Sequence, residues 1–225
     1  MLLNERDINI SAIFKIDKYN RVENRLENLE TLSYGLEYKR KIFGLDTEIS
    51  YILSDTELYH IKHKKGNIKY KDGKMFKSDF GFQFWGGQKI GSKYLRRSEY
   101  YDKVNQESDL YFRIIEKTGP YIKIDLFSVL EIYSEYSYSR ENHVSDYRDN
   151  ITDEYSIDII LTPGLDFVFN GAYKKAHKKY IKFKEKTADT SESYGYSIGR
   201  IFYKRVKLKY GGEIFKLHLN NAGLD

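Results

Sequence analysis

The residues in this chain best suited to metal or proton chemistry are five histidines: His60, His63, His143, His177 and His218. Only His60 and His63 lie close together. On a strand, a three-residue spacing sends two rings to opposite faces, so this pair does not build a joint metal site. His143, near Ser145 and Asp146, has the residue types of a hydrolytic triad, but the stretch Ser139–Thr152 reads as a charged loop and not as a rigid support. No nucleophile elbow, phosphate-binding glycine loop, His-Glu-x-x-His run or calcium loop occurs. The absence of cysteine excludes a disulfide framework, thiolate zinc and a cysteine nucleophile. The expectation is a chain that is not an enzyme and needs no cofactor or metal.

A second set of residues follows a pattern. Glu37, Lys39, Glu48, Asp79, Gln83, Arg113, Lys123, Asp125, Glu131, Asp158, Asp166 and Lys207 all fall on the polar parity of alternating stretches. Their chemistry is electrostatic. Either they pair and fill an interior, or they line a narrow polar passage and select solutes by charge.

The alternation itself implies strands. In Leu165–Lys175, after the Pro163-Gly164 turn, Leu165, Phe167, Phe169 and Tyr173 share one parity, while Asp166, Asn170 and Lys174 share the other. Successive strand side chains point to opposite faces, so this is one apolar and one polar face. The pattern recurs in Asp7–Ile16, Thr31–Lys39, Leu45–Leu53 and Asn67–Trp85, with Phe80, Phe82 and Phe84 on the apolar side. Ser92–Tyr101 alternates poorly. Asp109–Lys117 and Tyr121–Glu135 read as two strands joined at Thr118-Gly119-Pro120. Glu154–Leu161, Ser193–Phe202 and Val206–Leu219 complete the set, and 220–225 reads as a frayed tail.

Short turns fall near residues 40, 87, 119, 164 and 204. Longer polar connections fall near 17–30, 60–67, 102–107, 139–152 and 176–192. Lys174–Lys184 is the one candidate helix, and it is too basic and Gly-flanked to assign. The reading is a single domain, residues 1–225, all-β, with about 10–12 antiparallel strands spanning 7–219.

Composition agrees. The chain is 40% hydrophobic yet 16% aromatic, with 22 Tyr and 13 Phe, which is not the composition of a disordered segment. Two Pro against 16 Gly suits long strands. The net charge of +5 is spread along the chain, a modest bias towards anionic partners and not a nucleic-acid footprint. No run of 18 apolar residues occurs, so there is no membrane-spanning helix, and Met1–Ala12 has no apolar signal region.

Alternation alone leaves two architectures open: a soluble barrel or sandwich with the apolar parity inward, and a membrane barrel with it outward. The polar parity is rich in Ser, Gly and charges of both signs, as at Ser33, Gly35, Glu37, Asp79, Gly81, Gln83, Ser197 and Gly199. Apolar strands of about ten residues match a tilted bilayer crossing, and short turns alternate with long loops. On these features, over about residues 7–219, the sequence resembles bacterial outer-membrane β-barrels of the small-porin type. The resemblance implies an up-and-down transmembrane barrel in the outer membrane, its signal peptide removed. It would be in contact with the lipid bilayer and lipopolysaccharide and would pass small polar or anionic solutes. An odd strand count and an Asn-Ala-Gly-Leu-Asp ending depart from that family's pattern. The alternatives are a soluble ligand-binding barrel and a plugged structural membrane barrel.

Overall fold

The computed structural model describes residues 7–20, 27–60, 68–84, 87–101, 112–127, 129–143, 149–164, 167–181, 186–202 and 206–221. They form eleven strands: β1 (Asp7–Asn20), β2 (Glu27–Ile42), β3 (Leu45–His60), β4 (Ile68–Gln83), β5 (Lys89–Tyr101), β6 (Phe112–Leu126), β7 (Leu130–His143), β8 (Asn150–Gly164), β9 (Phe167–Tyr180), β10 (Lys186–Phe202) and β11 (Val206–Asn221). All belong to one antiparallel up-and-down sheet whose order is the chain order. β1 and β11 are the two edges. Being both odd-numbered in a strictly alternating sheet, they run in the same direction.

Connections alternate in length. The β2–β3, β6–β7 and β8–β9 joints take at most three residues, whereas β1–β2, β3–β4 and β5–β6 take six or more. The β2–β3 joint is a two-residue hairpin with Phe43 at φ 49 and Gly44 at φ 81. Two positive-φ residues make the turn whose twist matches the flanking strands. A Cβ on Gly44 would also lie 2.6 Å from the Gln83 carbonyl oxygen.

Several boundaries differ from those the sequence suggests. Thr118-Gly119-Pro120 is not a turn: β6 runs straight through it, and the chain reverses at Phe127, where φ is 55. Pro120 has no N–H to give, and the β6–β7 register passes from Thr118↔Tyr138 to Tyr121↔Glu135. Gly119 permits close approach, since a Cβ there would meet the Tyr136 carbonyl oxygen at 1.9 Å. The turn expected near residue 40 lies at 43–44. β7, β8, β9 and β10 extend well into the stretches read as the loops 139–152 and 176–192, and β1 and β2 into 17–30. Ladder pairing holds these charged strand ends although their sequence lacks the alternation. Residues 174–180, in the stretch weighed as a helix, are strand. Asn220 and Asn221 belong to β11, so the frayed tail does not begin at 220.

The apolar parity lies on the outside of the sheet. Phe80, Phe82, Phe84 and Phe169 are all exposed, and Tyr121 is the one buried hydrophobic side chain among the described residues. The polar face is concave, because side chains on it touch across an intervening strand: Lys41 reaches Gln83 from β2 to β4, and Tyr121 reaches Asp79 from β6 to β4.

The outward apolar band is bounded by charges. Moving from the short turns towards the long connections, each strand's outward side chains reach a charge, and on β5, β6 and β8 the apolar Tyr100, Ile114, Phe112 and Ile151 stand beyond it. The series is Lys18, Glu30, Asp55, Lys74, Arg96, Glu116, Arg140, Asp153, Lys175, Glu192 and Lys216; Arg40 and Arg200 sit below it, beside the turns. The ladder row Tyr51–Phe76–Arg96–Glu116–Arg140–Ile151–Lys179 gives a reference. Lys18 and Glu30 share the row of Glu57, six residues above Tyr51, and Asp55 stands four above it. Lys74 is two above the row, Arg96, Glu116 and Arg140 lie on it, and Asp153 is two below. Lys175 is four below, in register with Glu192 and Lys216. The limit therefore shifts ten residues over ten strand steps. One residue of about 3.4 Å per strand spacing of about 4.8 Å corresponds to a strand tilt of roughly 35° against a flat boundary. Below the limit the band is nine residues deep on β3 (45–53), β4 (76–84), β6 (118–126) and β7 (130–138).

Candidate functional site: the concave polar face

On β5–β9 the concave face is held by alternating charges. Lys93 Nζ donates to Glu135 Oε2 at 2.9 Å and also bonds Tyr133, whose hydroxyl bonds Glu135 in turn. Lys117 lies 4.0 Å from Glu135 and donates to Glu154 at 3.1 Å; Lys174 reaches the same Glu154 at 2.8 Å. The ladder Lys93–Glu135–Lys117–Glu154–Lys174 thus crosses five strands. The tyrosines beside it are packed, with the Tyr121 and Tyr133 rings 5.7 Å apart and Lys93 Nζ 5.0 and 4.8 Å from their centroids. Such cation–ring contacts add to the ion pairs.

Glycine makes room for this packing. Tyr121 lies over Gly91 and Gly81 and donates to Asp79 Oδ1 at 2.7 Å. A Cβ on Gly91 would come within 2.5 Å of the Tyr121 ring, and one on Gly81 within 2.6 Å of its hydroxyl oxygen. Towards the long connections, Glu99 is 2% exposed and collects Lys71 at 3.0 Å, Arg97, and Arg113 at 3.7 Å. Arg113 also pairs with Glu141, which accepts from His143 Nε2 at 2.9 Å.

The residues expected to line a passage are distributed unevenly. Lys39 pairs with Glu37 at 3.1 Å and Glu48 at 3.7 Å, so these three meet. Gln83 accepts from Lys41 at 3.2 Å. Lys123 and Glu131 pair at 2.9 Å. Asp79 is held by Tyr121, and Arg113 by two carboxylates. Asp125 lies on the concave parity opposite Glu131, and Asp158 opposite Tyr133 and Ala172. Lys207 is in register with Ile201 at the start of β11. Asp166 lies outside the described residues, as do His63, Ser145 and Asp146.

The expected set omits the most connected residues: Lys93, Glu99, Lys117, Tyr121, Tyr133, Glu135, Glu141 and Glu154. β5 was obscured because outward Arg96 and inward Leu95 invert the usual polarity of the two faces; Arg96 is answered by Glu116 across the outer surface at 3.5 Å. Tyr121 and Tyr133 are aromatics on the polar parity. A run of polar-parity glycines on neighbouring strands, Gly81, Gly91 and Gly119, is the signal that could have found them.

β1–β4 differ. In their upper half the concave side chains of β2 and β3 are short: Thr31, Ser33 and Gly35 stand opposite Thr56, Ser54 and the aliphatic Ile52. This leaves a trough of about 530 Å³ walled by Ile13, Lys15 and Asp17 on one side and Lys71, Met75, Lys77 and Arg97 on the other. A second hollow of about 310 Å³ lies between Glu48, Asp79, Lys93 and Glu135, with Lys77 bordering both. Among the described residues no group of three or more His, Asp or Glu is placed to hold a metal ion.

No protein-family model matches this chain, and no curated protein matches it by sequence.

Proposed function

We propose that the chain is an outer-membrane β-barrel that acts as a porin-like channel for passive diffusion of small polar or anionic solutes, and not as an enzyme. The observation that carries this reading is the outward band. Nine residues, the depth on β3, β4, β6 and β7, cover about 25 Å at a tilt of roughly 35°, the height of the lipid-facing belt of outer-membrane barrels. The charges that bound the band step by one residue per strand on average, and if they all meet one plane the strands tilt by roughly 35°, as the strands of outer-membrane barrels do. A soluble barrel has no reason to align them so, and it would hide Phe80, Phe82 and Phe169, which are exposed here. The charged fence would meet lipid headgroups and lipopolysaccharide, and the polar concave face would line the lumen.

Two observations shape the transport expected. Arg113 and Lys123 are matched by carboxylates, so the net +5 charge gives only mild anion preference, screened by salt. The charge ladder crossing β5–β9 supports a second reading, a structural barrel largely closed by its own side chains. Chain refolded into planar bilayers under a salt gradient separates these. Mild anion selectivity that reverses in Lys77→Glu is the expected result. Cation selectivity of the native chain would remove the anion assignment, and absence of conductance in a properly inserted chain would favour the closed barrel.

A further inference from the structure

Beyond non-specific passage, we infer that the β1–β4 trough is a binding site for a small organic anion carrying a compact apolar body, such as an aryl or short alkyl carboxylate. The inference takes its setting from the channel reading, but the site itself is argued from the trough alone.

Three features define the ligand. The first is space. Gly35 lies between Ile13 and Ile52 in the ladder, and a Cβ there would meet the Tyr51 carbonyl oxygen at 2.1 Å, so the floor stays open. The row above is equally bare, with Ser33, Ser54 and Gly73 in register. The second is the apolar patch. Ile13, Ile52 and Met75 share one ladder row on the predominantly polar face. All three border the hollow, and apolar surface facing it is what an apolar ligand body would cover. The third is charge. Lys77 sits one position below Met75 on the same face, and its ammonium has no partner among the described residues. Lys71, Arg97 and Arg113 gather at Glu99 above it. Lys15, opposite, is matched by Asp17 at 2.7 Å. An anionic group at Lys77 with its body over Ile52 and Met75 satisfies all three features. Chloride would use only the third, and a neutral aromatic only the second.

The test is a benzoate titration of the full chain refolded in detergent micelles, followed by ligand-observed NMR at fixed micelle concentration. Saturable benzoate binding is expected, with acetate and benzyl alcohol each at least fivefold weaker. Lys77→Gln should weaken benzoate at least fivefold, Lys77→Arg should restore it, and Ile52→Asn should weaken benzoate without changing acetate. The outward Lys216→Gln, an equal change of charge, should have no effect. Binding that is not saturable, acetate as tight as benzoate, or equal losses in Lys77→Gln and Lys216→Gln would each overturn the site. Conductance is read separately: benzoate binding by a non-conducting chain keeps the site and removes the channel, and a conducting chain that ignores benzoate does the reverse.

Discussion

On β5–β9, Lys93, Lys117 and Lys174 each face a carboxylate within 3.1 Å, and two tyrosines fill the space beside them. On β1–β4, Lys77 faces none, and its neighbours across the ladder are Ser50 and Leu95. Both regions lie on one face of one sheet and use the same residue types. They differ in side-chain size on the intervening strands. Long side chains on alternate strands meet over the glycines of β4–β6, whereas β2 and β3 offer nothing tall enough to bridge their trough. A polar concave face can thus be closed in one sector and open in the next without any change in the face pattern.

The comparison is broken most severely at Glu99, the carboxylate between the two regions. Glu99→Ala leaves Lys71, Arg97 and Arg113 clustered without their shared anion, and removing one member of a buried charge group costs about 3–5 kcal/mol. Urea unfolding of chain refolded in liposomes measures this. A loss below about 1 kcal/mol would show that the cations are hydrated and that Glu99 does not organise the wall.

Glycine substitutions sharpen the contrast at smaller cost. Gly91→Ala places a methyl 2.5 Å from the Tyr121 ring and 2.6 Å from the Phe80 carbonyl oxygen, and overpacking of this kind costs about 1–3 kcal/mol. Gly171→Ala, on the outward face of β9, meets nothing within 4 Å and should be neutral or slightly stabilising. Equal midpoints for the two variants would contradict the packed-sector description.

The smallest effect is expected inside the ladder. Lys117→Met removes one rung, but Glu135 keeps Lys93 and Glu154 keeps Lys174. Partly exposed pairs of this sort contribute about 0.5 kcal/mol, so stability should barely move. If the second reading holds, single-channel conductance should rise in this variant; an unchanged conductance would show that the ladder does not obstruct the path.

The sequence by itself determined the two-faced strand, the single up-and-down sheet and the alternation of short and long joints, because period-two polarity and turn residues are local properties. It also placed Glu37, Lys39 and Glu48 on one face. It misread Thr118-Gly119-Pro120 as a reversal, since local turn propensity gives no weight to ladder pairing on both sides of β6. It could not find the Lys93–Glu135–Lys117–Glu154–Lys174 ladder, whose members are brought together across strands by register and concave curvature. For the same reason Lys77 and Lys117 are indistinguishable in the sequence, although one is unpartnered among the described residues and the other doubly matched. Only the tertiary arrangement decides which charges can reach one another, because a side chain spans about two strand spacings and what stands between is set by the neighbouring strands and not by its own.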